Sequence, residues 1–236
     1  MTPQAKYMYL ARRRPTLDRQ GFTRRWRQHG ALGMSLPRWV NVWRYVHCDV
    51  LDSDGPGIAA GYDGVGVIWY RSLAARGAHA SDHASQATME ADEAETFSEP
   101  VANCGVLCAE QVLMEGAHSG LKLVRFLARP ACMSITDFDS AWSLHQAAVL
   151  AYTGAAGGLC RYVCNPALPA EHPGGWGLGV QGVEELWFDD AARLQGFCAA
   201  LQLGRDGLVR PEPWTRATSV ITNEVVLYNN PTAQRR

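Results

Sequence analysis

Phe22-Thr-Arg-Arg-Trp26-Arg-Gln-His29 and Phe138-Asp-Ser-Ala-Trp142-Ser-Leu-His145 carry the same three ring-bearing residues in the same order and at the same spacing. Working outward from this pair, the match continues on both sides. Lys6 and Lys122 stand at the same offset of 116 residues. Arg44-Tyr45-Val46 returns as Arg161-Tyr162-Val163, and Gly64-Val65 and Trp69-Tyr70 return as Gly182-Val183 and Trp187-Phe188. Glu110-Gln-Val-Leu-Met returns as Glu224-Val-Val-Leu-Tyr. The offset drifts only between 114 and 118, so insertions are small and fall in loops. A long-period repeat of this kind marks a duplicated structural unit. The expected units are residues 1–117 and 118–236, with the seam near Glu115 to Leu121.

Each unit reads as the same series of elements. Residues 6–12, Val40–Leu51, Tyr62–Tyr70 and Val101–Met114 are rich in aromatic and β-branched residues and are expected to be strands. Phe22, Trp26 and His29 fall at i, i+4 and i+7, one face of a helix, and the same holds for Phe138, Trp142 and His145. Asp18 and Ser134 are N-cap residues, and Ser134 with Asp137 forms a capping box. Arg71–Ala80 is a second helix, and Asp52-Ser-Asp-Gly-Pro-Gly is turn chemistry. The order is β-α-β-β-α-β, twice: an α+β chain of two fused ferredoxin-like βαββαβ repeats, expected to pack on each other as an intramolecular pseudo-dimer.

The 236 residues are 47% apolar and carry a net charge of -1, which excludes a disordered acidic chain and argues against a nucleic-acid partner. No apolar run approaches a membrane span, Met1 is not followed by a leader, and seven scattered cysteines suit a reducing cytoplasm. The charge is uneven. Ten basic residues and one acid lie in residues 1–44, and twelve acids against Arg71 and Arg76 lie in 45–118. Arg19, Arg24, Arg25 and Arg27 are expected on the solvated face of a helix, and Glu90-Ala-Asp-Glu-Ala-Glu95 in a surface loop.

Taken together, Phe22-x3-Trp26-x2-His29, Tyr62-Asp-Gly-Val, Gly182-Val-Glu-Glu-Leu-Trp-Phe-Asp189 and a strand ending in Glu-x-Val-Leu resemble the EthD family of the dimeric α+β barrel superfamily, once per half. The resemblance implies that the two ferredoxin-like units form one intramolecular (pseudo-dimeric) α+β barrel, with a pocket between the sheet and the helices of each. The wider superfamily includes cofactor-free cyclases, dehydratases, decarboxylases, isomerases and monooxygenases, with some haem-using branches. Fold-level likeness transfers a pocket, not a reaction.

The candidate catalytic groups are His29 and His145, which share a helical face with Phe and Trp, and Glu110 and Glu224, which sit in apolar strands. Glu185 matches a family carboxylate position where the first unit has Val67, so the second pocket is weighted higher. Phe22, Trp26 and Tyr45, with Phe138, Trp142 and Tyr162, are the candidate substrate-binding residues. His79 and His83 have metal-ligand spacing but no third ligand, and no metal or cofactor is expected. The expected function is a cofactor-independent lyase or isomerase acting on a small hydrophobic, aromatic, oxygenated substrate. The alternatives are a cofactor-free or haem-dependent monooxygenase and a non-catalytic binding protein. The expected assembly is a monomeric pseudo-dimer or a homodimer of it.

Overall fold

A computed structural model describes residues 5–52, 55, 57–116, 120–156, 158–168, 179–204, 208 and 215–231. The elements follow the expected order, except that the first half has a further helix after its second one and its last strand is split in two. The first half contains β1 (Ala5–Ala11), α1 (Arg19–Ser35), β2 (Val42–Val50), β3 (Gly64–Tyr70), α2 (Leu73–Ala80), α3 (His83–Thr96), β4 (Gly105–Ala109) and β5 (Gln111–Met114). A short 3-10 helix, Pro37–Asn41, leads into β2. The second half contains β6 (Leu121–Ala128), α4 (Ile135–Ala156), β7 (Leu159–Pro166), β8 (Gly182–Phe188), α5 (Ala191–Leu203) and β9 (Arg216–Asn229). Most of the counterpart of the first turn, between Asn165 and Gly179, lies outside the described residues.

The strand order is β4-β1-β3-β2-β9-β6-β8-β7-β5, every pairing antiparallel. Each half contributes the ferredoxin-like order of last, first, third and second strand. β4 and β5 are two parts of one strand interrupted at Glu110: β4 pairs with β1 and β5 with β7. The row therefore closes on itself as a barrel. β9 performs the symmetric task, pairing with β6 through residues 216–223 and with β2 through residues 222–229.

Alternation along the strands separates two environments. Met8, Val46, Val67, Val106, Val124, Phe126, Val183 and Val220 fill the barrel interior. The other faces are covered by helices, with Tyr7, Tyr9, Tyr45 and Phe97 around Phe22 and Trp26 in one half, and Leu123, Tyr162 and Leu186 around Phe138 and Trp142 in the other. Phe22, Trp26, Phe138 and Trp142 are buried, and each contributes about 2–3 kcal/mol by leaving water. Both helix starts are capped as the sequence implies: the Gly21 amide donates to Asp18 Oδ1 at 2.6 Å, and the Asp137 amide to Ser134 Oγ at 3.1 Å.

The charge gradient has a different origin from the expected one. Residues 83–96, including the acidic stretch, form helix α3, capped by Asp82 rather than lying in a loop. Ser85, Met89 and Thr96 are buried, and Asp92 shares their 0, 4, 7, 11 spacing. Arg25 of α1 is not on a free solvated face, because it pairs with Asp92. Arg27 pairs with Asp49, and Arg19 with Asp52. Basic α1 and acidic α3 are two faces of one packed helix pair.

Candidate functional site

A cavity of about 260 Å³ lies between the sheet and the helices of the first half, the kind of concave space in which small ligands bind. Tyr7 and Tyr9 from β1, Tyr45 from β2, and Ile68 and Tyr70 from β3 form its floor. His29 and Gly33 from α1, Arg76 and His79 from α2, and Gln86, Met89 and Glu93 from α3 form its roof, with Arg38 and Trp39 from the 3-10 helix at the side.

His29 is held by Asp92, with Nδ1 2.6 Å from Oδ2. Although burial pushes the Asp92 carboxyl up, hydrogen bonds from Arg25 and His29 hold it below its ordinary value, so it is an acceptor. His29 Nδ1 therefore carries the proton and donates, and Nε2 is left as a lone pair. Burial lowers the His29 pKa below 6.5 despite the opposing carboxylate, so the ring is neutral at pH 7. An imidazole oriented by a carboxylate, neutral and lining a cavity, has the form of a general base.

The floor supplies the complementary donor, and counting protons shows why. Arg27 Nη1 lies 2.6 Å from His47 Nδ1, and a guanidinium can only donate. His47 thus accepts at Nδ1 and donates from Nε2 to the Tyr45 oxygen at 2.6 Å. Trp26 Nε1 donates to the Tyr9 oxygen at 3.0 Å, and the two phenols meet at 3.2 Å. That contact consumes one phenol proton; the other has no acceptor within this set. Burial raises both phenol pKa values, most strongly that of Tyr9, so both stay protonated. Tyr9 and Tyr45 both line the cavity, and one phenolic O–H of the pair is left uncommitted within this set.

In the second half an ion pair stands at the same position. Gly66 and Tyr9 face each other across β3 and β1, and their register counterparts are Glu184 and Arg125. Glu184 accepts from Trp142 Nε1 at 2.8 Å, from the Tyr162 hydroxyl at 2.6 Å and from Arg125 Nη1 at 2.5 Å. Arg125 Nη1 also lies 2.9 Å from His145 Nε2. Burial raises the Glu184 pKa, but Arg125 and His145 outweigh it and hold the carboxyl far below its ordinary range. A buried ion pair thus stands where the first half has the Tyr9 ring packed over Gly66.

Phe22, Trp26, His29 and Tyr45 are therefore brought together, with His29 and Tyr45 on the cavity and Phe22 and Trp26 behind it. Phe138, Trp142, His145 and Tyr162 are brought together around Glu184 and Arg125. Glu110, Glu185 and Glu224 join neither group. They lie on the opposite face of the sheet, at one end of the barrel interior, bound to two buried lysines. Lys6 contacts Glu110 at 2.8 Å and also Glu185; Lys122 contacts Glu185 at 2.8 Å and Glu224 at 2.9 Å. Burial opposes ionisation of Glu185, but Lys122 and Lys6 hold it ionised. The sequence reading passed over Asp92, Tyr9, Arg38 and Arg76. For Asp92 the helical spacing with Ser85, Met89 and Thr96 was the available signal.

The His29–Asp92 pair also has the form of an oriented metal-ligating imidazole. The cavity, however, falls below the roughly 300–1,000 Å³ of ordinary ligand pockets, and four tyrosines stand across its floor. A flat tetrapyrrole does not fit these residues. No cluster of three metal-ligating side chains occurs among the described residues.

The barrel and its helix-covered cavity define a class, the dimeric α+β barrel proteins, and solved structures agree over nearly the whole chain. A Fusobacterium nucleatum protein assigned as a monooxygenase has a TM-score of 0.58 at 7% identity, covering 95% of this chain and 94% of that one. An anthrone oxidase-like protein has 0.55 at 12%, covering 95% and 92%. A mutant chlorite dismutase from Candidatus Nitrospira defluvii, in complex with cyanide, has 0.52 at 9%, covering 94% and 90%. At these identities the likeness is one of fold. Residues 14–100, the segment that carries His29, Arg38, Tyr45, Arg76 and Asp92, match the EthD domain family. No curated protein matches the sequence. No helix among the described residues is long and apolar enough to cross a membrane.

Proposed function

We propose that the protein is an acid–base enzyme, a cofactor-independent lyase or isomerase, whose working site is the first-half cavity. Its substrate is a small aromatic compound carrying a carbonyl or phenolic oxygen. The carrying observation is the pairing of a neutral His29, oriented by Asp92, with a surplus phenolic O–H from Tyr9 and Tyr45 in the same cavity. His29 Nε2 takes a proton from the carbon next to the substrate carbonyl. The electron pair moves onto the carbonyl oxygen, where the phenol hydrogen-bonds it. The imidazolium then returns the proton to a different atom, in an isomerisation, or to a departing group, in an elimination. His145, Glu110, Glu185 and Glu224 take no part in this reading. Their bonding supports structural roles, and residues 1–117 and 118–236 are the working and supporting copies of one duplicated unit.

A second reading is a cofactor-free oxygenase, supported by the names of the monooxygenase and anthrone oxidase-like relatives in fold. There the same enolate gives its electrons to dioxygen instead of taking back a proton. Both readings share the first step, which 2-tetralone, a benzo-fused ketone with an acidic benzylic hydrogen next to its carbonyl, reports. In deuterium oxide without air, the protein should catalyse exchange at that carbon, followed by NMR. His29→Ala should lower the rate about 100-fold or more, the scale of a lost general base. Asp92→Asn should lower it less, by freeing the ring to turn. The wild-type rate should be level above pH 6.5 and fall only at lower pH, because the base has a depressed pKa. Exchange that survives in His29→Ala would refute the assignment. Oxygen uptake on admitting air would favour the oxygenase.

A further inference from the structure

We infer that the first-half cavity selects an anionic aromatic ligand, a carboxylate carried on a ring system, through Arg38 and Arg76. This rests on the same cavity being the working site and adds the charge of its ligand.

Both guanidiniums line the cavity. Among the described residues, neither has a carboxylate oxygen within 4 Å, whereas Arg13, Arg14, Arg19, Arg25, Arg27, Arg44, Arg125, Arg161 and Arg193 each have one. Arg38 is buried, its Nη1 donates to Gln86 Oε1 at 2.7 Å, and its Nε is buried with no partner. Arg76 lies over the rings of Tyr7 and Tyr70, 5.3 and 5.4 Å from their centroids; its Nε is likewise buried without a partner. Ring faces stabilise the cation without satisfying its N–H groups.

The remaining charges in the cavity do not cancel these two. Glu93 is its one acidic lining residue among those described, engaged by the Val101 amide at 3.1 Å, and burial pushes its carboxyl up. His79 donates Nδ1–H to the Arg38 carbonyl oxygen at 3.2 Å, and burial and the two arginines lower its pKa to about 3, so it adds no charge. A buried guanidinium with unmet donors is costly, and a bidentate carboxylate is its best-matched partner. Trp39, Ile68 and Met89 supply the apolar wall for the ring that carries it.

The test uses 1-naphthoate and its neutral counterpart 1-naphthamide, titrated into the full chain by calorimetry. The carboxylate should bind at least 10-fold tighter than the amide. Arg38→Gln and Arg76→Gln, each shown to be folded by circular dichroism, should remove that preference while leaving amide affinity within about 2-fold. Equal affinity for the two probes, a preference that survives both substitutions, or no binding of either at millimolar concentration would overturn the inference. His29→Ala should keep the preference. Proton exchange without carboxylate preference would therefore remove this inference alone. Carboxylate preference without exchange would remove the catalytic reading alone.

Discussion

Two residue pairs make the halves of this barrel different. Tyr9 faces Gly66 in one half and Arg125 faces Glu184 in the other, at the same register. In each half an indole N–H and a strand tyrosine converge on one acceptor, and that acceptor is a phenol in the first and a carboxylate in the second. A phenol brings its own proton to the contact, whereas the Glu184 carboxylate only accepts and is matched by the Arg125 cation. Breaking the buried pair should be costly because it strands a charge, by about 3–5 kcal/mol for Arg125→Leu or Glu184→Ala. The joint exchange of Arg125→Tyr with Glu184→Gly should cost less than the sum of its two single changes. Urea unfolding of the four proteins measures this coupling, and additive losses would show that the pairs are independent.

At the scale of elements, repeated glycines and repeated tryptophans explain one another. A Cβ on Gly64 would lie 2.3 Å from the Trp26 ring, and one on Gly182 would lie 2.2 Å from the Trp142 ring. Each helix thus lays its indole on a bare strand position, which sets how closely α1 and α4 approach the sheet. Gly64→Ala should destabilise by about 1–3 kcal/mol through overpacking. Gly196 in α5 is exposed and its added Cβ would meet nothing within 4 Å, so Gly196→Ala should stabilise by about 0.5–1 kcal/mol. Thermal melts of the two variants should move in opposite directions. A melt for Gly64→Ala equal to wild type would mean that the indole has room to shift.

For the whole molecule, the buried ionisable groups set the response to acid. His29, His47 and His79 have pKa values lowered by burial, and Glu110, Glu184, Glu185 and Glu224 have theirs lowered by their partners. In each case the folded state binds protons more weakly than the unfolded chain. The stability they contribute is present at neutral pH and lost as pH falls, below about 6.5 for the histidines and below about 4.5 for the carboxyls. The melting temperature should therefore decline from pH 7 to pH 4 and more steeply beyond. A flat profile measured by calorimetry would contradict this. Closure of the barrel depends on the same region, because Lys6 and Lys122 bind Glu185 from the two halves.

The architecture was written along the chain because a duplicated unit repeats its periodicities. The 3.6-residue face of Phe22, Trp26 and His29 and the alternation of the strands are local patterns, and both appear twice. The same alternation accounts for Tyr45 and Tyr162 facing the helices while Arg44 and Arg161 face the other side of the sheet. The site was less legible. His29 and Tyr45 could be picked out by position, but Asp92 lies 63 residues from His29 and its stretch reads as surface by charge alone. Whether this position holds a phenol over a glycine or a buried ion pair was decided by contacts between strands, Tyr9 against Gly66 in one half and Arg125 with Glu184 in the other. Periodicity is a property of neighbours along the chain; the emptiness of a pocket and the partner of a charge are properties of residues that only folding brings together.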